Sequence, residues 1–462
     1  MKKALKLIAL LAALTLVAAA CGSSDSDTTT PTSPDTTAAA GATTTSTTAG
    51  PTGPLTDFGV TEAPCDDAVN AGNGCIYLGV ISDLSTGPFA ALAIPAVGGL
   101  TAFWADVNAS GGVDGYDVIV NEANTVDAHF NPQETVAGYT QIEPNILMLA
   151  QSLGTAQTQA VLDRYIEDNM VAVPATWWSG WSFNEFDGGG LIIEAGVSYC
   201  MEAMNDIDFA VSQFGPDMSY GIIGFAGDYG GDYAAGVKIA AEANGLGDPL
   251  FEFEQTSLAA GGTVDQAVGL IVQNAPTVVF LTTGPFELAQ TLGGMFQNGG
   301  TSVFIGTHPT WNPALPAAAP DLVPLLEQLY FQSDWIPGWY GDSPGHQAAK
   351  AAAAAADPPQ SPNEWYINGW ASQYPVKAII DQALVNGDIT RAGTAAAVKQ
   401  LSDVSFDDMI PNANYAGGAE SAARASLINR VDATAPGGTV NLTPLAVGPT
   451  AAAYDFTGAC FS

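Results

Sequence analysis

The residues of this chain that could do chemistry are arranged to hold a molecule rather than to transform one. No Walker-type phosphate loop and no Cys-x-x-Cys pair occurs, and the three histidines, His129, His308 and His346, are scattered. Acids are plentiful but isolated, as on a solvated surface. The reading is of a binding protein and not an enzyme, with no catalytic residue, metal site or cofactor expected. Binding chemistry is easier to find. Gln151-Ser152-Leu153-Gly154-Thr155-Ala156 joins an apolar run to a helical one. A helix start offers unpaired N–H groups and partial positive charge to an anion. Gly154 and Thr155 are the candidates there, although a plain N-cap would account for Thr155 equally. Further on, Pro174-Ala175-Thr176-Trp177-Trp178-Ser179 sets a hydroxyl beside two indoles, with Trp181 close behind. Adjacent indoles are costly to leave exposed. They either wall a pocket for a planar or cationic ligand or pack the protein.

Strands and helices alternate to position these loops. Ile76–Ile81 reads as a strand, Ala93–Asn108 as a helix and Tyr116–Asn121 as a strand. Helix Pro132–Gln141, strand Ile146–Ala150, helix Ala156–Asn169 and strand Val171–Pro174 complete a first series. A second runs helix Cys200–Phe214, strand Tyr220–Ala226, helix Asp232–Asn244, strand Leu250–Glu254, helix Thr263–Asn274, strand Thr277–Thr282, helix Glu287–Asn298 and strand Ser302–Ile305. Two such runs mean two α/β lobes with mostly parallel sheets. Ligands then sit beyond the carboxyl ends of the strands, in a cleft between the lobes.

The amino terminus and the overall charge bound the setting. Lys2, Lys3 and Lys6 precede the apolar stretch Leu7–Ala20, which would span about 21 Å as a helix. That is short of the roughly 30 Å bilayer core and suits a signal peptide. Ala18-Ala19-Ala20-Cys21-Gly22 resembles a bacterial lipobox, making Cys21 the expected lipidation site and membrane anchor; an ordinary cleavage site with Cys21 incidental is the alternative. Residues 22–64 are dominated by Ser, Thr, Ala, Gly and Pro, a composition that favours a disordered tether reaching about 35–40 Å. Eleven basic residues against 47 acidic ones give a formal charge of −36, and leader removal would make the body more acidic still. Nucleic acid is thereby an improbable partner. Cys65, Cys75, Cys200 and Cys460 are an even set, as two disulfides outside the cytoplasm require.

Several segments together resemble the leucine/isoleucine/valine-binding protein family of type I periplasmic binding proteins. Ile76-Tyr77-Leu78-Gly79-Val80-Ile81 with Ser85-Thr86-Gly87-Pro88-Phe89-Ala90 resembles its first strand and loop. Asn108-Ala109-Ser110-Gly111-Gly112-Val113-Asp114-Gly115 is similar to its Asn-x-x-Gly-Gly turn, Asn131-Pro132-Gln133 stands where Asp-Pro is usual, and Asp228-Tyr229-Gly230 follows a second-lobe strand as its Tyr-Gly pair does. The resemblance runs from about Ile76 to the carboxyl terminus. It implies two Rossmann-like lobes joined by a hinge, and an extracytoplasmic ABC-importer receptor for an amino acid or related amine or amide, with a membrane permease as partner. A ligand-sensing receptor of a signalling system is the alternative. On that pattern residues 65–199 plus about 310–420 form the first lobe, and 200–309 plus about 421–462 the second.

The same resemblance assigns the loop with Gly154 and Thr155 to a ligand carboxylate. It places Tyr229 to close over the ligand, and Glu287 to receive an α-ammonium. Gly284, Pro285, Phe286 and Leu288 offer Glu287 no basic neighbour, though an acid in a helix's first turn also simply suits the dipole. The Thr176-Trp177-Trp178 loop departs from the family, which has small residues there. Whether Trp311, Trp335, Trp365 and Tyr366 line the cleft or pack is left open. Pairing Cys65–Cys75 and Cys200–Cys460 is expected, the latter because the family's tail passes the hinge.

Overall fold

The computed structural model describes residues 53–462; the leader, Cys21 and the stretch up to residue 52 lie outside them. The first sheet is built on Gly74–Ser82, with Tyr116–Asp127 parallel on one side, and Met148–Ser152 and then Ala172–Pro174 on the other. In the second sheet Tyr220–Phe225 lies between Glu252–Gln255 and Val278–Thr282, followed by Val303–Gly306 and Tyr330–Asp334, all parallel. Leu427–Val431 and Thr439–Asn441 close its edge antiparallel. Ile76, Leu78, Val80 and Ile81 are buried, as are all five residues of Val278–Thr282. Near-continuous apolar runs of this kind belong to parallel strands covered on both faces.

Helix starts follow local chemistry. Asn131 accepts from the N–H groups of Gln133 and Glu134 ahead of Pro132–Ile142, and Ser198 accepts from Met201 N–H ahead of Tyr199–Phe214. The helix Ala90–Ala109 is long and apolar enough to cross a membrane by composition alone. Here it packs on Glu364–Ala371, and two glycines permit the approach. A Cβ at Gly99 would lie 2.0 Å from the Tyr366 carbonyl oxygen, and one at Gly369 1.9 Å from that of Ala96.

The elements depart from the sequence expectations in three places. The stretch expected to be a tether through Pro64 is already ordered before that residue. Leu55–Thr56 pairs with Asp388–Ile389, Val60–Thr61 pairs with Cys75–Ile76, and the Arg391 guanidinium sits 4.5 Å over the Phe58 ring. Val60 packs against the core and Phe58 meets a guanidinium, contacts that composition averaged over forty residues conceals. Second, the chain stays in the second sheet through Asp334, well past residue 310, because a fifth parallel strand extends it. Only from Pro344–Ala355 onward do helices pack against the first lobe's Ala90–Ala109. Third, the helix expected at Asp232 begins at Asp228, which brings Asp228 and Tyr229 into its first turn.

Three connections therefore join the lobes: about 193–198, 335–343 and 399–426. Both expected disulfides are present, with Cα–Cα distances of 5.8 Å for Cys65–Cys75 and 6.3 Å for Cys200–Cys460. The second ties the start of Tyr199–Phe214 to the tail.

Buried carboxyls, Asp206 and Asp232 among them, give the fold a pH dependence. Asp206 accepts from the Tyr233 hydroxyl at 2.6 Å and the Ser333 hydroxyl at 2.7 Å. Asp232 accepts from the N–H groups of Ser179 at 3.0 Å and Cys200 at 3.1 Å. Desolvation pushes both up to about 7. The folded chain thus keeps protons that the unfolded chain releases near about pH 4, so their stabilisation is full below that and is lost as pH rises to about 7. Asp117 and Asp127, held low by hydrogen bonds that outweigh their burial, act in the opposite sense only at more acid pH. The unfolding temperature followed by circular dichroism should fall from about pH 5 to about pH 7.5; a rising profile would contradict this account.

Candidate functional site

In each sheet the strand order reverses beside the first strand, and the loops leaving those strands face one another across the lobes. Between them lies a cavity of about 160 Å³. Asp83, wholly buried, accepts from the N–H groups of Gly87 and Phe89, both at 2.9 Å, and so shapes the loop that delivers Phe89. Phe130 meets Phe89 edge-on at 4.8 Å. His129 and Phe130 both have positive φ, 49° and 55°, a costly pair of conformations for such side chains. The Gln157 amide donates to the Phe130 carbonyl oxygen at 2.8 Å and helps hold it.

From the second lobe, Phe225 and Tyr229 each come to 6.1 Å from Phe89, and Tyr199 packs on Tyr229 at 4.8 Å. Trp177 and Trp365 complete an aromatic chamber. The Trp177 indole N–H donates to the Ala195 carbonyl oxygen at 2.7 Å, which fixes its ring.

Polar groups are few and sit at the helix starts. Thr155–Asp168 begins at Gly154 and Asp228–Ala243 at Gly227, both glycines with positive φ, and no side chain caps either helix. Two uncapped amino termini thus border one small space. The hydroxyls of Thr155 and Thr176 are 2.6 Å apart, and Asp228 from the second lobe lines the same cavity. Burial raises the Asp228 carboxyl above its ordinary range, the Thr155 hydroxyl opposing it. Gln151 and Gln157 each keep a side-chain oxygen without a partner. No lysine or arginine lines the cavity.

Of the residues singled out from sequence, Gly154, Thr155, Thr176, Trp177 and Tyr229 meet here. Trp178 does not. It packs against Trp181 and Phe186, both at 5.1 Å, and its indole donates to the Phe461 carbonyl oxygen. Glu287 is buried in the first turn of Pro285–Gln297, where its carboxylate accepts from Leu258 N–H at 2.7 Å. The sequence showed no basic partner for it, and in the structure a backbone amide from another segment engages one of its oxygens. Trp311 stacks on Tyr330 within the second lobe, Tyr366 packs beside Trp339, and Trp335 lies at the second connection.

Phe89, Phe130, Tyr199, Phe225 and Asp228 were not singled out. The signal available was position, since each stands where a loop leaves a strand or a helix begins. Gly341-Asp342-Ser343-Pro344-Gly345 has the spacing of a nucleophile elbow. Ser343 caps Pro344–Ala355, its Oγ lies 2.8 Å from His346 Nδ1, and it lines no part of this cavity. The spacing is that of a helix start.

Two α/β lobes enclosing a small chamber between the carboxyl ends of their strands define a solute-binding protein of the type I periplasmic class. Residues 75–436 match the periplasmic binding protein family, and the chain belongs to it. Among solved structures, a fatty acid ABC transporter substrate-binding protein from Thermomonospora curvata is 24% identical over 89% of this chain and 99% of its own, with a TM-score of 0.78. A branched-chain amino acid ABC transporter protein from Thermus thermophilus with bound valine is 15% identical over 82% and 98%, at 0.66. A solute-binding protein from Rhodopseudomonas palustris HaA2 in complex with p-hydroxybenzoic acid is 17% identical over 81% and 98%, at 0.65. No curated protein matches the chain. The fold is that of ABC-transporter substrate-binding proteins.

The two displaced residues give a stability test. Trp178→Ala should cost about 3–5 kcal/mol as a large-to-small core change. Glu287→Ala should cost about 1.5–3 kcal/mol through the lost charged hydrogen bond. Urea denaturation measures both, and a Trp178→Ala midpoint equal to that of the parent would remove Trp178 from the core.

Proposed function

We propose that this protein is the extracytoplasmic receptor of an ABC importer, and that its solute is a compact carboxylic acid with an aromatic or short aliphatic body. The observation that carries the reading is the pair of uncapped helix amino termini opening into an aromatic chamber. Free N–H groups and helix dipoles suit a carboxylate. Burial raises the Asp228 carboxyl, which favours its protonated, hydrogen-bond-donating form. Size limits the body: a cavity of about 150 Å³ takes benzene, so about 160 Å³ admits one ring or a short chain. Valine, hydroxybenzoate and fatty acids, the solutes of the similar structures, share a carboxylate on an apolar body. The expected amino-acid solute relied on Glu287 for its ammonium; Glu287 Oε1 accepts from Leu258 N–H, and the residue does not line this cavity.

Hinge closure delivers the solute's contacts from both lobes, and the closed form presents itself to a membrane permease. Lipidation at Cys21 keeps the receptor at the membrane; Cys21→Ala should move it from the membrane fraction to the soluble one, and unaltered partitioning would refute the anchor.

Calorimetry with phenylacetate, hexanoate, phenylacetamide and leucine tests the solute class. The two acids should bind and the amide should not. Phe89→Ala should weaken phenylacetate by about tenfold or more, as loss of about 1.5–3 kcal/mol of apolar burial implies. Affinity for the acids should fall as pH rises through the raised Asp228 titration. Tight binding of leucine with none of the simple acids would restore the amino-acid reading instead.

A further inference from the structure

A second cavity, of about 330 Å³, lies at the hinge. Its wall draws on all three connections between the lobes: Glu194 from the first, Trp335 from the second, Tyr415 and Arg424 from the third. These segments absorb the dihedral changes of opening and closing, so a molecule seated among them touches what must move.

The polar groups of this cavity are unfinished. Glu194 makes no side-chain hydrogen bond to its Oε1, which is sealed from solvent, and the indole N–H groups of Trp181 and Trp335 have no acceptor. The other acid in the wall, Asp187, is committed to the N–H groups of Gly189 and Gly190. The base in the wall, Arg424, directs Nη1 to the carbonyl oxygens of Ala451 and Tyr454. The Tyr415 hydroxyl donates to the Glu194 backbone oxygen and not to its carboxyl. Burial holds the Glu194 carboxyl well above the usual range, and nearby Asp232 adds to this. A carboxyl oxygen sealed from solvent without a partner is unfavourable, and a cation from outside relieves it. Trp181, Trp335 and Phe406 supply aromatic surface, which suits an organic cation over a metal ion.

We propose that the hinge cavity is a second binding site, for a small protonated amine with an apolar or aromatic body, whose ammonium pairs with Glu194 while its body lies among the indoles. The site adjoins the cleft at Trp335. Trp335 stands 5.8 Å from Trp177, which lines the solute chamber. An amine at the hinge therefore changes solute affinity, and the solute changes amine affinity by the same factor.

Calorimetry on the full-length chain with benzylammonium and its neutral isostere benzyl alcohol tests this. Benzylammonium should bind, with the alcohol at least about tenfold weaker, a difference of about 1.4 kcal/mol. Glu194→Gln should abolish that preference and leave phenylacetate binding in the cleft intact. Asp228→Asn should leave benzylammonium binding intact. If the amine is lost in Asp228→Asn and retained in Glu194→Gln, it occupies the solute chamber and the proposal fails. Equal affinities of the unaltered protein for amine and alcohol, or no heat with either, overturn it as well, whether or not Glu194→Gln folds.

Discussion

Asp232 stands wholly buried in the helix Asp228–Ala243 of the second lobe, and its carboxyl receives both the N–H and the hydroxyl of Ser179 together with the N–H of Cys200. Ser179 belongs to the loop leaving the first sheet, so the carboxyl joins the two lobes at the base of the cleft. The Ser179 oxygen also accepts from Cys460 N–H at 2.9 Å, beside the Cys200–Cys460 disulfide. With Ser179 pinned, the two tryptophans ahead of it separate. Trp177 turns toward Tyr199, His308 and the solute chamber, and Trp178 toward Trp181 and Phe186. Replacing a buried hydrogen-bonded carboxyl of this kind strands three donors at once, a large fraction of a marginal stability.

The solute chamber follows from how the two sheets are ordered. Each reverses direction beside its first strand, and the loops on either side of that reversal diverge to leave a crevice. Opposing two such crevices brings the starts of Thr155–Asp168 and Asp228–Ala243 together without a single basic side chain. Backbone dipoles then supply the positive potential in a chain whose formal charge is −36. The aromatic lining excludes water and strengthens every remaining electrostatic contact in the chamber. Its floor is tied to the second lobe by a buried pair: His308 Nδ1 lies 2.8 Å from Asp334, and its Nε2 lies 2.9 Å from the amide of Asn368, a residue of the chamber wall.

The sequence by itself determined the class of fold. Apolar runs such as Ile76–Ile81 and Thr277–Thr282, alternating with helical stretches, specify parallel α/β lobes because period and length are local properties. It also pointed to Gly154, Thr155, Thr176, Trp177 and Tyr229, which the fold gathers at one cavity because each lies in a loop leaving a strand or at a helix start. What the tertiary structure decided were matters of direction and partner. Trp177 and Trp178 are indistinguishable as neighbours in a string, and a carboxyl 53 residues beyond Ser179 pins the loop so that one faces the chamber and the other the core. Glu287 looked free because its sequence neighbours are uncharged, yet the amide that fills it comes from Leu258, in a separate loop. The hinge cavity was invisible for the same reason. Its walls come from segments more than two hundred residues apart, and only folding brings Glu194, Trp335 and Arg424 to the wall of one cavity.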